Sequence, residues 1–261
     1  MKTTELFLTK TKISQRKAWN TKAVVYHLYY PELVFEAINT VQEFDNTYDI
    51  IFTLAETMPE ELCKLIENST GGYVFIAANT GRDIRPFFEL IRSGFLDRYE
   101  LVCKLHGKKS LHRIDGDQWR KSAIKSLCAN KNVISKIEHY ITENNLDFVA
   151  PKSYAFLNSE IKHWKGQDFW LKKIFARSGH SLKYENLEHL PIASGSFFWA
   201  SRGGLSRLRA VPIYRTDWIE NAESGYKRDG NLEHLGERLC SIGRPFHARD
   251  TKISSISNDG N

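Results

Sequence analysis

The chain has 261 residues, 41% hydrophobic and 12% aromatic, enough to bury a core in one large domain or two small ones, and one is expected. Its net charge of +6 suits a partner carrying phosphate, nucleic acid or an anionic membrane surface, and says nothing about fold. Four widely spaced cysteines (Cys63, Cys103, Cys128, Cys240) form no Cys-x-x-Cys pair, no run approaches the roughly 18 apolar residues of a membrane span, and the N-terminus lacks a signal-peptide apolar region, so reduced thiols and a cytoplasmic location are expected.

Residues 1–20 read as a basic, loosely packed N-terminal arm. The run AVVYHL at 23–28 reads as a buried first strand whose exit carries His27, Tyr29 and Tyr30 before Pro31. A helix is predicted over 32–44, with Leu33, Val34, Ala37, Ile38 and Val41 at helical spacing. A second strand, YDIIFTLA, is followed by a helix over 58–67 that opens with Pro59 and acidic residues. The central stretch then reads as a strand at 73–77, a polar turn at 79–83, a helix at 84–91 and a strand at 99–105. Two helices follow, one from Asp117 and one over 133–142, then a short strand at 147–150. Between 151 and 190 the pattern blurs around a helix near 169–176. A strand at 191–200, a short helix and a helix starting at Asp229 complete the domain, taken as 21–250, and the polar tail 251–261 reads as disordered. Strands alternating with helices predict an α/β fold, a mostly parallel central sheet flanked by helices on both faces.

The polar loops of the central stretch are where open α/β sheets bind ligands. Asn79, Thr80, Gly81, Arg82 and Asp83 lie beside a helix start, where Gly81 can take a positive φ and the first helical amides suit an anion. Lys104, His106, Lys108, Lys109 and Ser110 follow the next strand within seven residues and could neutralise a diphosphate. The alternative is a solvated basic turn.

Several separated motifs, VVYHLYYPEL, YDIIFTL, NTGRDIRPFF, CKLHGKKS followed by GDQWR, GSFFWA and DGNLEHLGERL, together resemble the rhamnan synthesis protein F family over roughly residues 22–240. The chain departs from that pattern at Thr80, Gly107 and Asn231, where arginine, threonine and threonine are commoner. The resemblance implies a GT-A-like glycosyltransferase that moves a sugar, such as L-rhamnose from dTDP-rhamnose, onto a growing surface polysaccharide, with inversion. It also implies a nucleotide-sugar donor, a lipid-linked glycan acceptor, peripheral contact with the inner membrane and no nucleic-acid partner. In the GT-A layout an Asp-x-Asp pair holds a metal on the diphosphate; here basic residues stand at that loop, so no cofactor or metal is expected to be required. A galactose or galactofuranose nucleotide donor, or a non-catalytic carbohydrate- or nucleic-acid-binding protein, is the alternative.

By the same resemblance, His27 and Tyr29 lie where the nucleotide binds, unless His27 is a satisfied core histidine. Arg82 suits phosphate or sugar oxygens, while Asp83 holds a hydroxyl or caps the helix at Ile84. Trp119, Phe198, Trp199, His234 and Arg238 are acceptor-sugar candidates, although Trp119 and at least one ring of the Phe-Phe-Trp run can equally be packing. Asp229 is the candidate base, or a helix cap, with Glu237 second.

Overall fold

The central strands are nearly unbroken apolar runs because both of their faces are covered. In β2 (Lys22–Leu28), Ala23, Val24, Val25, Tyr26 and Leu28 are all 1% exposed or less. The computed structural model describes residues 7–8, 19–107, 109, 114–151, 167–178, 193–221, 231–240 and 253–256. The other strands are β1 (Phe7–Leu8), β3 (Tyr48–Ala55), β4 (Tyr73–Ala77), β5 (Leu101–His106), β6 (Phe148–Pro151), β7 (Phe198–Ser201) and β8 (Ile253–Ile256). They form one sheet in the order β1-β4-β3-β2-β5-β7-β6-β8. Pairings β2 with β3, β2 with β5, β3 with β4 and β6 with β8 are parallel; the other three are antiparallel. This is the mostly parallel α/β sheet that the alternation predicted.

Helices cover the two faces as two separate layers. α1 (Val34–Val41), α2 (Glu60–Thr70), α4 (Gly116–Cys128) and α5 (Lys131–Asn144) pack on the face that carries Val24, Tyr26, Leu105 and Trp199. α3 (Ile84–Arg92), α6 (Asp168–Phe175), α7 (Arg202–Ala210), α8 (Arg215–Asn221) and α9 (Leu232–Leu239) pack on the face that carries Val25, Val102 and Phe198. The change of face follows from the right-handedness of parallel crossovers: the chain steps outward from β2 to β3 and β4, then returns past β2 to β5, and the connecting helix α3 must swap sides.

Boundaries differ from the sequence reading where local chemistry intervenes. The helix expected from 32 begins as a single 3-10 turn at Pro31–Leu33, since proline fixes the first φ but donates no hydrogen bond. β5 starts at Leu101 after a 3-10 turn at Phe95–Arg98. The strand predicted over 191–200 is delayed by a turn at Ser194–Ser196, and β7 starts only at Phe198. α9 begins at Leu232 with Asn231 at its N-cap; Asp229, the expected start, lies outside the described residues. The two ends of the chain carry more structure than expected. Phe7–Leu8 pairs with β4, Trp19 stacks on Tyr73 at 4.8 Å, and residues 253–256 of the tail read as disordered form β8 beside β6.

Candidate functional site

Strand alternation sends every second residue to one face, and on the α3/α9 face that row turns polar toward the carboxyl ends. In β2 it runs Ala23, Val25, His27; in β5 it runs Val102, Lys104, His106; in β3, Thr53 follows Ile51. Register sets His27 directly between Thr53 and His106. Strand order reverses between β2 and β5, and open α/β sheets form their ligand crevice at such a point.

Lys104 anchors this end. Its side chain is 1% exposed, and Nζ lies 2.5 Å from Asp83 Oδ2, 3.1 Å from Ser196 O and 3.2 Å from Ser196 Oγ. The rings of Phe87 and Phe198 flank the ammonium at 5.6 and 5.8 Å. A buried ammonium is costly unless paired, and Asp83, 13% exposed, supplies the counter-charge. Ser196 Oγ also donates to Asp83 Oδ2 at 2.5 Å. His106 stacks on Phe197 at 4.1 Å, and its Nε2 sits 2.5 Å from the Gly195 carbonyl. A carbonyl only accepts, so Nε2 carries a proton. His106 Nδ1 faces Asp83 Oδ1 at 3.9 Å.

The titration of the cluster follows from burial and charge. Burial alone would raise the Asp83 pKa, but His106 and the Lys104 ammonium hold it well below the carboxylate range. His27, hydrogen-bonded through Nδ1 to Thr53 Oγ1 at 3.0 Å, is pulled down to about 4 by burial, against the opposing pull of Asp83. It is therefore neutral at pH 7.

Two turns meet over this network, and both are left-handed. Gly81 and Arg82 have φ of 73° and 51°; Gly195 and Ser196 have 76° and 56°. A Cβ on Gly81 would come within 2.5 Å of Arg85 Cβ, and one on Gly195 within 2.8 Å of the Trp119 ring, so only glycine fits either place. Arg82 and Ser196 have no such excuse, since a left-handed residue with a Cβ costs about 1–2 kcal/mol. α9 braces both turns: Glu237 Oε1 accepts the Gly195 N–H at 2.6 Å, and Arg82 Nη1 donates to His234 Nε2 at 3.3 Å.

The structure thus brings His27, Gly81, Arg82, Asp83, Lys104, His106, His234 and Glu237 together. Tyr29, 39% exposed, stands at the end of β2 edge-on to Tyr30. Asn79 is held through its backbone N–H by Glu56. Lys109 takes a different direction, pairing with Glu32 and lying 5.2 Å from the centre of the Tyr30 ring. Lys108, Ser110 and Asp229 lie outside the described residues.

Other sequence expectations are corrected. Lys104 is no exposed phosphate contact, because Asp83 and Ser196 already engage it. Asp83 occupies the N-cap position of α3 but makes no cap hydrogen bond, its carboxylate being drawn to Lys104 and Ser196. Phe198 and Trp199 are 0% exposed and offer no sugar platform; β7 lies mid-sheet, so one ring packs on Phe87 and Phe148 and the other on Phe44 and Tyr48. Trp119, 9% exposed, packs against Gly195, and Arg238, 6% exposed, donates to the His234 carbonyl. Sequence reasoning missed Thr53 and Ser196, whose only signals were the strand period and a Gly-Ser step before an aromatic run. A cavity of about 330 Å³ lined by Gln42, Asp45, Asn46, Tyr48 and Thr70 opens at the opposite end of the sheet, remote from this cluster.

An open, mostly parallel sheet covered by helices on both faces, with a buried polar cluster at its strand-order reversal, defines the class, an α/β protein. The sequence profile of rhamnan synthesis protein F matches residues 3–242, and the chain belongs to that family. The uncharacterized protein WxcX of Xanthomonas campestris pv. campestris, in strains B100 and ATCC 33913, is 29% identical over 220 residues, 84% of this chain and 30% of the relative. The chain therefore spans about 30% of the length of these curated relatives. Among solved structures it resembles glucosyl-3-phosphoglycerate synthase from Mycobacterium tuberculosis, determined with Mn²⁺, UDP and glucosyl-3-phosphoglycerate. That likeness has a TM-score of 0.42 and 12% identity over 91% of this chain and 70% of the other, too distant to bear on chemistry.

Proposed function

We propose that the chain is a GT-A-like glycosyltransferase that moves a sugar from a nucleotide-sugar donor onto a growing cell-surface polysaccharide. Family membership supports the polysaccharide setting. The observation that carries the donor site is the row His27, Thr53 and His106, aligned on one face where strand order reverses, with His106 facing Asp83 of the turn that carries Arg82. In this reading the donor is dTDP-rhamnose and the acceptor is lipid-linked, with the enzyme working at the cytoplasmic membrane face. Among the described residues no helix is long and apolar enough to cross a membrane.

The acceptor hydroxyl attacks the anomeric carbon, the bond to the diphosphate oxygen breaks with its electron pair leaving on the nucleoside diphosphate, and configuration inverts. Asp229 takes the hydroxyl proton, because the Glu237 carboxylate is committed to the Gly195 amide. The Arg82 guanidinium meets the charge that develops on the leaving group, without a required divalent metal.

Thermal denaturation with a panel of dTDP-rhamnose, UDP-galactose, UDP-galactofuranose, duplex DNA and free glycans tests the reading, since a ligand of the native state raises its melting point. A shift with dTDP-rhamnose supports it; shifts only with DNA or free glycans overturn it. Turnover that survives excess chelator supports the metal-free route, and Asp229→Asn that keeps donor affinity while losing kcat supports the base.

A further inference from the structure

We propose that Lys104 is a positioning residue: its buried ammonium locks the Gly81-Arg82 turn to the Gly195-Ser196 turn and so holds the Arg82 guanidinium where an anionic ligand meets it. An ammonium has three hydrogens to give. Those of Lys104 have three acceptors within reach, Asp83 Oδ2, Ser196 O and Ser196 Oγ, which leaves none for a substrate. The acceptors belong to segments 113 residues apart in the chain, so the contact is a bridge between loops rather than a local turn. Each segment also carries a non-glycine residue in the left-handed region, Arg82 and Ser196. The remaining one among the described residues, Asn145, ends a helix, an ordinary place for it. Backbone strain of this kind persists only where the surroundings over-determine it, and it gathers at functional sites.

What the bridge holds in place is Arg82. Its side chain is partly exposed and, among the described residues, makes one hydrogen bond, to His234, of the five that a guanidinium fork can donate. The remaining fork geometry suits paired oxygens of a phosphate or diphosphate. Lys104 thus acts through Arg82, and this last step rests on the donor-site reading above.

The test uses hydrogen exchange and calorimetric titration with dTDP on the wild type, Lys104→Met, Asp83→Asn and the double variant. The single changes each leave one buried charge alone, but the double variant leaves none and is expected to keep its melting temperature within a few degrees. In it, amides of residues 80–83 and 194–197 should both exchange at least tenfold faster, with β3 and α1 unaltered, and dTDP affinity should fall at least tenfold. Arg82→Ala should lose the same affinity while leaving exchange at 194–197 untouched. Should the double variant fail to fold, Ser196→Ala keeps the ion pair and must still loosen residues 80–83, a turn it does not belong to. Wild-type affinity and protection in the double variant, or loosening of one turn only, overturns the proposal. Absence of dTDP binding by the wild type refutes the donor site, and the exchange arm alone then decides whether the two turns are locked.

Discussion

Each end of the central sheet holds a carboxylate, and among the described residues the two meet different partners. At the amino-terminal end Asp49, 0% exposed, accepts from the Tyr99 hydroxyl at 3.0 Å, Asn20 Nδ2 at 3.0 Å and the Asn20 amide at 3.3 Å. Burial pushes the Tyr99 pKa up, so that hydroxyl keeps its proton and donates. None of these residues has a positive φ. At the carboxyl end Asp83 meets a full ammonium, two neighbouring histidines and four left-handed residues. Donors such as Tyr99 and Asn20, on ordinary backbone, fasten one strand to its neighbours. A fixed charge pair on strained backbone asks for more than fastening, and it sits where strand order reverses.

The sharpest way to break this contrast is to unpair each end in turn. Lys104→Met leaves Asp83 buried with its ion-pair partner gone and should cost about 3–5 kcal/mol in denaturant unfolding. Asp49→Asn, at a carboxylate that among the described residues accepts from Tyr99 and Asn20, should cost about 1–3 kcal/mol. Equal losses would mean that the two ends are held alike.

Acid separates the ends next. The folded pKa of His27, about 4, lies below the ordinary 6.5, so protons favour the unfolded chain between those values. Stability from this group is intact above 6.5 and falls as pH drops toward about 4, by about 1.4 kcal/mol per unit and about 3 kcal/mol in all. The depressed Asp83 adds a further loss as pH falls below its ordinary 3.8. Chemical denaturation across this range should show the slope, and His27→Gln should flatten it; an unchanged slope would place the effect elsewhere.

Two smaller effects refine the picture. Tyr99→Phe removes one hydrogen bond to a buried carboxylate and should cost about 2 kcal/mol, with no effect on dTDP binding measured by titration. Ser196→Gly and Ser196→Ala both lose the hydroxyl, but only glycine relieves the positive φ, so the glycine variant should be the more stable by about 1 kcal/mol. Equal melting temperatures would show that the turn carries no strain.

The sheet was largely legible because parallel strands covered on both faces leave continuous apolar runs, and each run in 23–105 is followed by a polar exit and an amphipathic helix. The turn at Gly81 to Asp83 was legible for the same reason, as a glycine between a strand and a helix. Its internal wiring was not. Nothing local in Lys104-Leu105-His106 distinguishes a lysine that greets a ligand from one sealed against Asp83; the difference comes from Ser196, 92 residues further on. A strand period with both faces covered likewise conceals where its rings go: Phe198 and Trp199 point to opposite faces and are equally buried.

The outermost strands of the sheet, β1 and β8, come from opposite ends of the sequence. Each lies along a neighbour, β4 or β6, that would otherwise present a bare rim of backbone donors and acceptors. Trimming either terminus for crystallisation or tagging would therefore uncover a rim on which a second molecule can dock strand to strand, and clumping of such shortened proteins would say more about lost selvedge than about a damaged interior.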